Sequence, residues 1–268
     1  TFSVRDKELK NYMQKVNFPI VPAEVLSTAL ADMYEEGKPI TNKQICQGIM
    51  AHLMDQVKDD MELLSFTGVY DAAQADGNFG YSLNGWNKIV TDLLANTVRP
   101  CFKVPVDAIT DANIYDVFLA YERGLPKLLK DKIKEIHTST NNLERYEIAY
   151  QEKWGQAAKY DDKDRTKSPL RKRVIVGHDN CDDDKIWATI DGNMLDLVDV
   201  VDNPPKVSDI QVQDYTVKIF MEFSKGYDFL MNEAVCVANF TDTVRGLGDA
   251  AKMALYFPHE VVEEEPAP

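Results

Sequence analysis

The densest group of potential metal ligands in the chain is the segment HDNCDDDK, from His178 to Lys185. It combines an imidazole, a thiol and four carboxylates, and these are groups that bind divalent cations. Neighbouring side chains in a tight turn diverge, however, and the EF-hand pattern needs a glycine and a distal glutamate that are missing here. We favour a solvated turn between two strands. A metal-dependent enzyme that uses the acidic cluster 178–184 is the alternative.

The other motifs do not converge on an active site. RGLGDAA, from Arg245 to Ala251, matches a dinucleotide-binding fingerprint as a string, but only 17 of the 268 residues follow it, too few for the required βαβ unit. GYSLNG has the wrong glycine spacing for a nucleophile elbow. The histidines show no paired spacing: His52, His137, His178 and His259. The sequence therefore predicts no catalytic, cofactor-binding or metal-binding residues, and a protein that is not an enzyme.

Composition restricts the partners. Asp and Glu total 44 against 30 Lys and Arg, giving a net charge of −14, which disfavours sequence-specific nucleic-acid binding. No apolar run approaches the ~18 residues of a membrane span. The scattered cysteines predict free thiols in a reducing compartment: Cys46, Cys101, Cys181 and Cys236. Because the first residue is threonine, we expect a processed or trimmed chain.

One segment has the opposite charge. RTKSPLRKR, from Arg165 to Arg173, places five cations in nine residues. A solvated loop is the simplest interpretation, and a contact for an acidic surface of another subunit is the alternative.

Apolar periodicity predicts the helices that would hold these residues. The longest runs from Asn42 to about Leu64, with apolar residues about every four positions and a capping box at Thr41–Gln44. Shorter helices are predicted over 24–34, after a cap at Ser82, from Asp111, and from a cap at Ser139 to Trp154. A loop is predicted directly after the longest helix, over the segment GVYDAAQADGNFGYSLNGW.

Alternation predicts the strands. IKEIHTS, RVIVG and KIWATI are short strands, the last two paired and flanking the acidic turn. From Ile210 to Phe223 the pattern predicts a single strand of ~14 residues, with Val217, Ile219 and Met221 on its dry face. We expect that face to pack on the long helix, through Leu53 among others.

The order of these elements resembles the major capsid proteins of tailed bacteriophages, which have the Hong Kong 97-type shell fold. The resemblance covers residues from about 1 to 240. It rests on the extended start and the long helix, then ERYEIAYQEKWG, RVIVG and KIWATIDGNMLDL. The last piece is VSDIQVQDYTVKIFMEFSKGYDFLMNEAVCVANF.

The resemblance implies an α+β fold, in which a peripheral domain carries a long spine helix and long strands beside an axial α/β domain. The implied divisions are 1–22 as an extended arm or the returning strand of an extended loop, 23–80 with 200–239 as the peripheral domain, 81–199 as the axial domain, and 240–268 as a C-terminal segment with a disordered acidic tail. The family's N-terminal arm and outgoing loop strand would be missing. We also expect the stretch up to Phe18 to be poorly packed on its own subunit.

The implied function is that of a structural major capsid protein, which self-assembles into an icosahedral shell around a viral double-stranded DNA genome. Implied partners are further copies, in hexamers and pentamers, with scaffold, protease and portal proteins. The implied location is the virion of a phage or prophage, assembled in the bacterial host cytoplasm. A shell protein of an encapsulin-like nanocompartment is the alternative with the same fold.

Overall fold

The computed structural model describes residues 7–20, 42–75, 77–155, 166–198, 206–213 and 216–260. The helix predicted over 24–34 and the tail 261–268 lie outside the described residues, as do the side chains of the predicted cap at 41–44. The chain divides into two compact units. The first comprises Thr1–Gly85 and Asp196–Tyr227, and the second comprises Trp86–Leu195 and Asp228–Pro268.

The described elements combine helices and strands throughout. The strands are β1 Tyr12–Ile20, β2 Phe102–Pro105, β3 Glu135–Ser139, β4 Thr166–Lys167, β5 Val174–His178, β6 Trp187–Ala188, β7 Met194–Val198, β8 Lys206–Gln213, β9 Thr216–Phe229 and β10 Cys236–Asn239. The helices are α1 Asn42–Thr67, α2 Trp86–Ala95, α3 Ile114–Gly124, α4 Lys127–Lys130, α5 Thr140–Trp154 and α6 Ala250–Tyr256, with short 3₁₀ turns at Asn232–Ala234 and Pro258–Glu260.

The single long strand predicted from Ile210 to Phe223 is wrong, because the stretch forms a hairpin. β8 and β9 pair antiparallel, with Val212 opposite Val217 and Gln213 opposite Thr216. Paired residues share a face, so the apolar positions change from even numbers at Ile210 and Val212 to odd numbers at Val217 and Ile219. That change of parity was the sequence signal for a turn. β9 alone is 14 residues long.

The alternation predicted for β9 is confirmed. Ile219 and Met221 on one face of the strand are buried, and Glu222 on the opposite face is exposed. β1 pairs antiparallel with β9 over its full length, from Tyr12 opposite Lys225 to Ile20 opposite Val217. The strand is therefore joined to its own subunit by a complete ladder, contrary to the expectation of poor packing. Two of its apolar side chains do stay exposed, with Met13 59% and Phe18 45% accessible, whereas Gln14 is buried.

A glycine fixes how the chain approaches β1. A Cβ atom at Gly226 would lie 2.4 Å from the Lys10 carbonyl oxygen and 3.2 Å from the Asn11 Cα. Both contacts are with backbone, which cannot rotate away as a side chain can. Gly226 is therefore required where the residues just before β1 pass close to β9.

Gly226→Ala should lower the free energy of unfolding by about 1–3 kcal/mol, the usual cost of overpacking. Amide hydrogen exchange of β1 should accelerate while that of α5 stays unchanged. Ser224→Ala on the same strand is the matched control and should leave both rates near the parent values. Unchanged protection of β1 in the glycine variant would contradict the close approach.

The predicted long helix is confirmed, and it extends to Thr67. Leu53 and Leu64 are buried along it. Its predicted packing on the sheet stays a prediction.

The second unit contains a six-stranded sheet in the order β2-β10-β6-β3-β5-β4. β3 and β5 are parallel, and α5 connects them as a crossover. The predicted pairing of β5 with β6 is wrong, because β3 lies between them and pairs antiparallel with β6 at His137 and Trp187. The acidic segment is therefore a connection that spans a strand, not a hairpin turn. The alternation of apolar residues predicts a strand, but it does not predict which strand pairs with it.

Helix starts were predicted with mixed success. The Ser139 hydroxyl accepts a hydrogen bond from the Asn142 N–H at 3.0 Å, so the predicted cap of α5 is confirmed. The caps predicted at Ser82 and Asp111 are wrong, because α2 begins only at Trp86 and α3 only at Ile114. Asp111 instead pairs with Arg145, on α5, at 2.5 Å.

A buried ion pair joins the segment before β5 to α3. Arg173 Nη1 donates to Glu122 Oε1 at 2.7 Å, and the two side chains are 1% and 0% exposed. The Ser168 hydroxyl donates to the same carboxylate at 2.8 Å, and the Leu170 N–H donates to it at 3.0 Å. Arg173 also donates to the Lys130 carbonyl oxygen. One buried carboxylate thus holds the whole turn from Ser168 to Arg173.

Candidate functional site

The acidic segment 178–185 is hydrogen-bonded to the first side chains of a helix. The Asp183 carboxylate accepts from the Ser139 hydroxyl at 2.5 Å and from Asn141 Nδ2 at 2.6 Å. Asp179 accepts from the Thr140 hydroxyl at 2.5 Å. Both carboxylates therefore lie at the N-terminus of α5, where the helix dipole favours negative charge. Their oxygens therefore accept hydrogen bonds within the protein.

The remaining members of the segment point elsewhere. Asp184 pairs with Lys185 at 2.7 Å. Cys181 is buried, and burial raises the pKa of its thiol to about 12. Burial also raises the pKa of Asp182, whose N–H donates to Asn87 Oδ1 on α2 at 3.2 Å. Across the described residues, no group of three His, Cys, Asp or Glu side chains is arranged to hold a metal ion. The acidic side chains are thus directed to different partners.

Two histidines that the sequence did not connect lie side by side. His137 on β3 and His178 on β5 join through Nδ1 and Nε2 at 3.0 Å. Both rings stack on Trp187 of β6, with ring centroids 5.4 and 5.9 Å from it. Only the parallel register of β3 and β5 brings them together, because they are 41 residues apart in the chain.

The histidine pair is held neutral. Burial, followed by the neighbouring His178, lowers the pKa of His137 from its ordinary 6.5 to about 3. Burial also lowers the pKa of His178, while the Asp179 carboxylate acts weakly in the opposite direction. One neutral ring donates its N–H to the unprotonated nitrogen of the other, so protonation of that accepting nitrogen would break this contact, and protonation of either ring would add a buried positive charge.

The other residues considered in the sequence have separate surroundings. Cys101 and Cys236 are free and buried, and His259 lies in the final 3₁₀ turn. The side chains of Cys46 and His52 lie outside the described residues. In RGLGDAA, the Asp249 side chain accepts from the Ala251 and Lys252 N–H groups and so caps the seven-residue α6. The RGLGDAA motif therefore supplies the N-cap of α6.

A groove of about 890 Å³ opens in the first unit. β1, α1 and the segment that follows α1 form its walls. Its lining combines apolar and polar side chains: Tyr12, Gln14, Val16, Leu53, Gln56, Val57, Asp60, Met61, Leu64, Tyr70 and Phe79. The described residues of this segment, 68–75 and 77–85, form a loop, as predicted, and it contacts β1 where the rings of Tyr12 and Tyr70 are 4.6 Å apart.

Exposed apolar side chains border this groove. The exposed side chains are Met13 and Phe18 on β1, and Tyr70 and Phe79 in the loop after α1. Among the described strands, β1 lies at the edge of its sheet. An edge strand with exposed apolar side chains is a typical surface for association with another chain. No helix in the described part of the chain has the length and apolarity needed to cross a membrane.

Comparison by sequence gives no relatives. No protein-family sequence profile matches the chain. No curated protein sequence is significantly similar to it.

Comparison by structure gives the fold. A chain of the satellite phage P4 procapsid, which includes the size determination (Sid) protein, matches with a TM-score of 0.53 and 12% identity, over 88% of this chain and 77% of its own. A chain of the capsid of Myoviridae phage XM1 matches at 0.52 and 12%, over 86% and 73%. A chain of the capsid of an empty GTA particle matches at 0.55 and 9%, over 87% and 74%. The predicted phage-capsid-like α+β fold is confirmed.

Proposed function

We propose that this chain is a structural subunit of a virion shell, which assembles with further copies of itself around a viral double-stranded DNA genome. The observation that carries the proposal is a fold shared with three capsid chains over 86–88% of the sequence. A shared fold alone does not specify function, so surface properties must support it.

The surfaces support association. β1 offers a nine-residue edge with exposed Met13 and Phe18, beside a groove large enough to accept several side chains. In a shell, each subunit buries such apolar surface against neighbours. We assign the first unit, with the long helix and long strands, to the peripheral domain of the shell fold. The second unit, with the six-stranded sheet, would be the axial domain.

The proposal includes a structural role without catalysis, cofactor or bound metal. It is supported by the side-chain hydrogen bonds that occupy Asp179 and Asp183 at the N-terminus of α5 and by the neutral, buried state of His137. Proposed partners are copies in hexamers and pentamers, with scaffold, protease and portal proteins during assembly in the host cytoplasm. A free phage and a prophage are equally compatible origins.

Electron microscopy of the full chain, purified after expression in bacteria, tests the proposal. We expect closed particles or capsomer rings, and Met13→Ser with Phe18→Ser should reduce their yield while leaving the circular dichroism unchanged. Lys58→Gln, an exposed polar change on α1, is the control. Monomers alone, at concentrations where shell proteins assemble, would contradict the proposal. Particles that exclude DNA and hold a protein cargo would favour the nanocompartment instead.

A further inference from the structure

The chain is strongly acidic overall, yet one end of the six-stranded sheet is basic. β3 and β5 are parallel, so the segments that precede them meet at the same edge. The backbone makes this contact directly, since the Val174 N–H donates to the Lys134 carbonyl oxygen at 3.0 Å. We call this surface the basic edge, and define it by Arg123, Lys127, Lys130, Lys132, Arg171 and Lys172, among which Asp131 is the exposed carboxylate of the same segment.

The basic edge is assembled from two distant parts of the sequence. The buried Arg173 side chain reaches across to the Lys130 carbonyl oxygen, and Lys130 Nζ donates to the Arg123 carbonyl oxygen at 3.1 Å. Lys132, Arg171 and Lys172 are exposed and form no ion pair with any residue that the structure describes. Within the described part of the chain, their charges therefore face solvent.

The turn that presents two of these cations is rigid. Glu122 holds it through the Ser168 hydroxyl, the Leu170 N–H and Arg173. Arg171 has a φ of 58°, in the left-handed region that a long side chain rarely adopts. Such a conformation persists only where the surroundings fix it. The cations are thus displayed in one arrangement, so binding costs little ordering of the backbone.

Apolar side chains within the basic edge indicate the class of partner. Leu128 is 47% exposed beside Lys127, and Leu170 is 38% exposed beside Arg171. A phosphate backbone offers nothing for these leucines to cover, whereas a protein surface does. With a net charge of −14, a second copy of this chain supplies an acidic surface in abundance.

We propose that the basic edge docks on an acidic surface of a second copy of this chain. The contact joins two different surfaces, so it can be repeated around a ring of subunits. It rests on the proposed shell function and names one of the contacts between its copies. Ionic steering at this edge also makes association sensitive to salt.

The test uses the full chain and a variant that removes two charges without disturbing the turn. Arg171→Asn suits the left-handed backbone, and Lys172→Gln keeps the length of a polar side chain. Lys10→Asn with Lys58→Gln changes the net charge equally outside the basic edge. Sedimentation at about 50 mM and about 500 mM salt measures self-association. We expect the first variant to associate about tenfold more weakly at low salt, and the control to match the parent.

Cross-linking identifies the occupant. A carbodiimide joins lysine amines to contacting carboxylates, and a mixture of nitrogen-15-labelled and unlabelled copies separates links between chains from links within one chain. We expect Lys132 and Lys172 to link to acidic residues of a differently labelled copy. Links found only within single copies, including links to the glutamates of 261–268, would overturn the proposal. Nuclease-sensitive nucleic acid bound to the basic edge in place of protein would also overturn it.

The two proposals fail separately. Particles whose yield is unaffected by the Arg171 and Lys172 changes would refute docking at the basic edge and leave the shell function intact. A parent chain that forms no particles would refute the shell function, and the isotope-mixed links would still decide whether copies meet at this edge.

Discussion

Replacing Glu122 by alanine should lower the free energy of unfolding by about 3–5 kcal/mol, because it leaves the Arg173 guanidinium buried without its carboxylate. The same change removes the acceptor for the Ser168 hydroxyl and for the Leu170 N–H. Arg173 Nε already lacks a hydrogen-bond partner, so the guanidinium has little with which to replace Glu122. Urea denaturation followed by circular dichroism measures the loss.

Two controls separate the buried charge from general disruption. Asp116→Ala breaks the exposed pair with Lys153 and should cost less than about 1 kcal/mol. Glu122→Leu combined with Arg173→Met removes both charges, and should recover much of the stability lost in Glu122→Ala. If Glu122→Ala unfolds at the same urea concentration as the parent, the ion pair does not hold the turn.

Acidification should destabilise the second unit through the histidine pair. The pKa of His137 is about 3 in the folded chain against an ordinary 6.5, so below pH 6.5 the unfolded chain binds the proton more readily. The stabilisation is complete above about pH 6.5 and is lost as the pH falls toward 3. By about pH 4.5 the free energy of unfolding should fall by up to about 3 kcal/mol from this group alone.

The measurement is the free energy of unfolding at a series of pH values. His137→Phe retains an aromatic ring for stacking on Trp187 but cannot titrate, so its stability should fall less steeply between pH 7 and pH 4.5. His259→Gln is the control and should follow the parent curve. An unchanged slope in His137→Phe would show that other groups cause the acid sensitivity.

Most of the local elements, and their order along the chain, could be predicted from the sequence. The four-residue periodicity gave α1, and the apolar positions of β9 gave its buried row, Ile219 and Met221. Ser139 gave the start of α5, because a serine before a helix satisfies an amide that has no other partner. The resemblance in the order of elements was enough to predict the fold that the structural comparison confirms.

Which elements lie next to one another could be learned only from the folded chain. β3 lies between β5 and β6, and this one insertion placed the acidic segment beside the N-terminus of α5 and brought His137 against His178. Arg173, taken from the sequence as one cation of a basic segment, is buried against Glu122, 51 residues earlier. Contacts of this kind depend on which strands lie next to each other in the sheet. A strand's own pattern records its period and leaves its partner open.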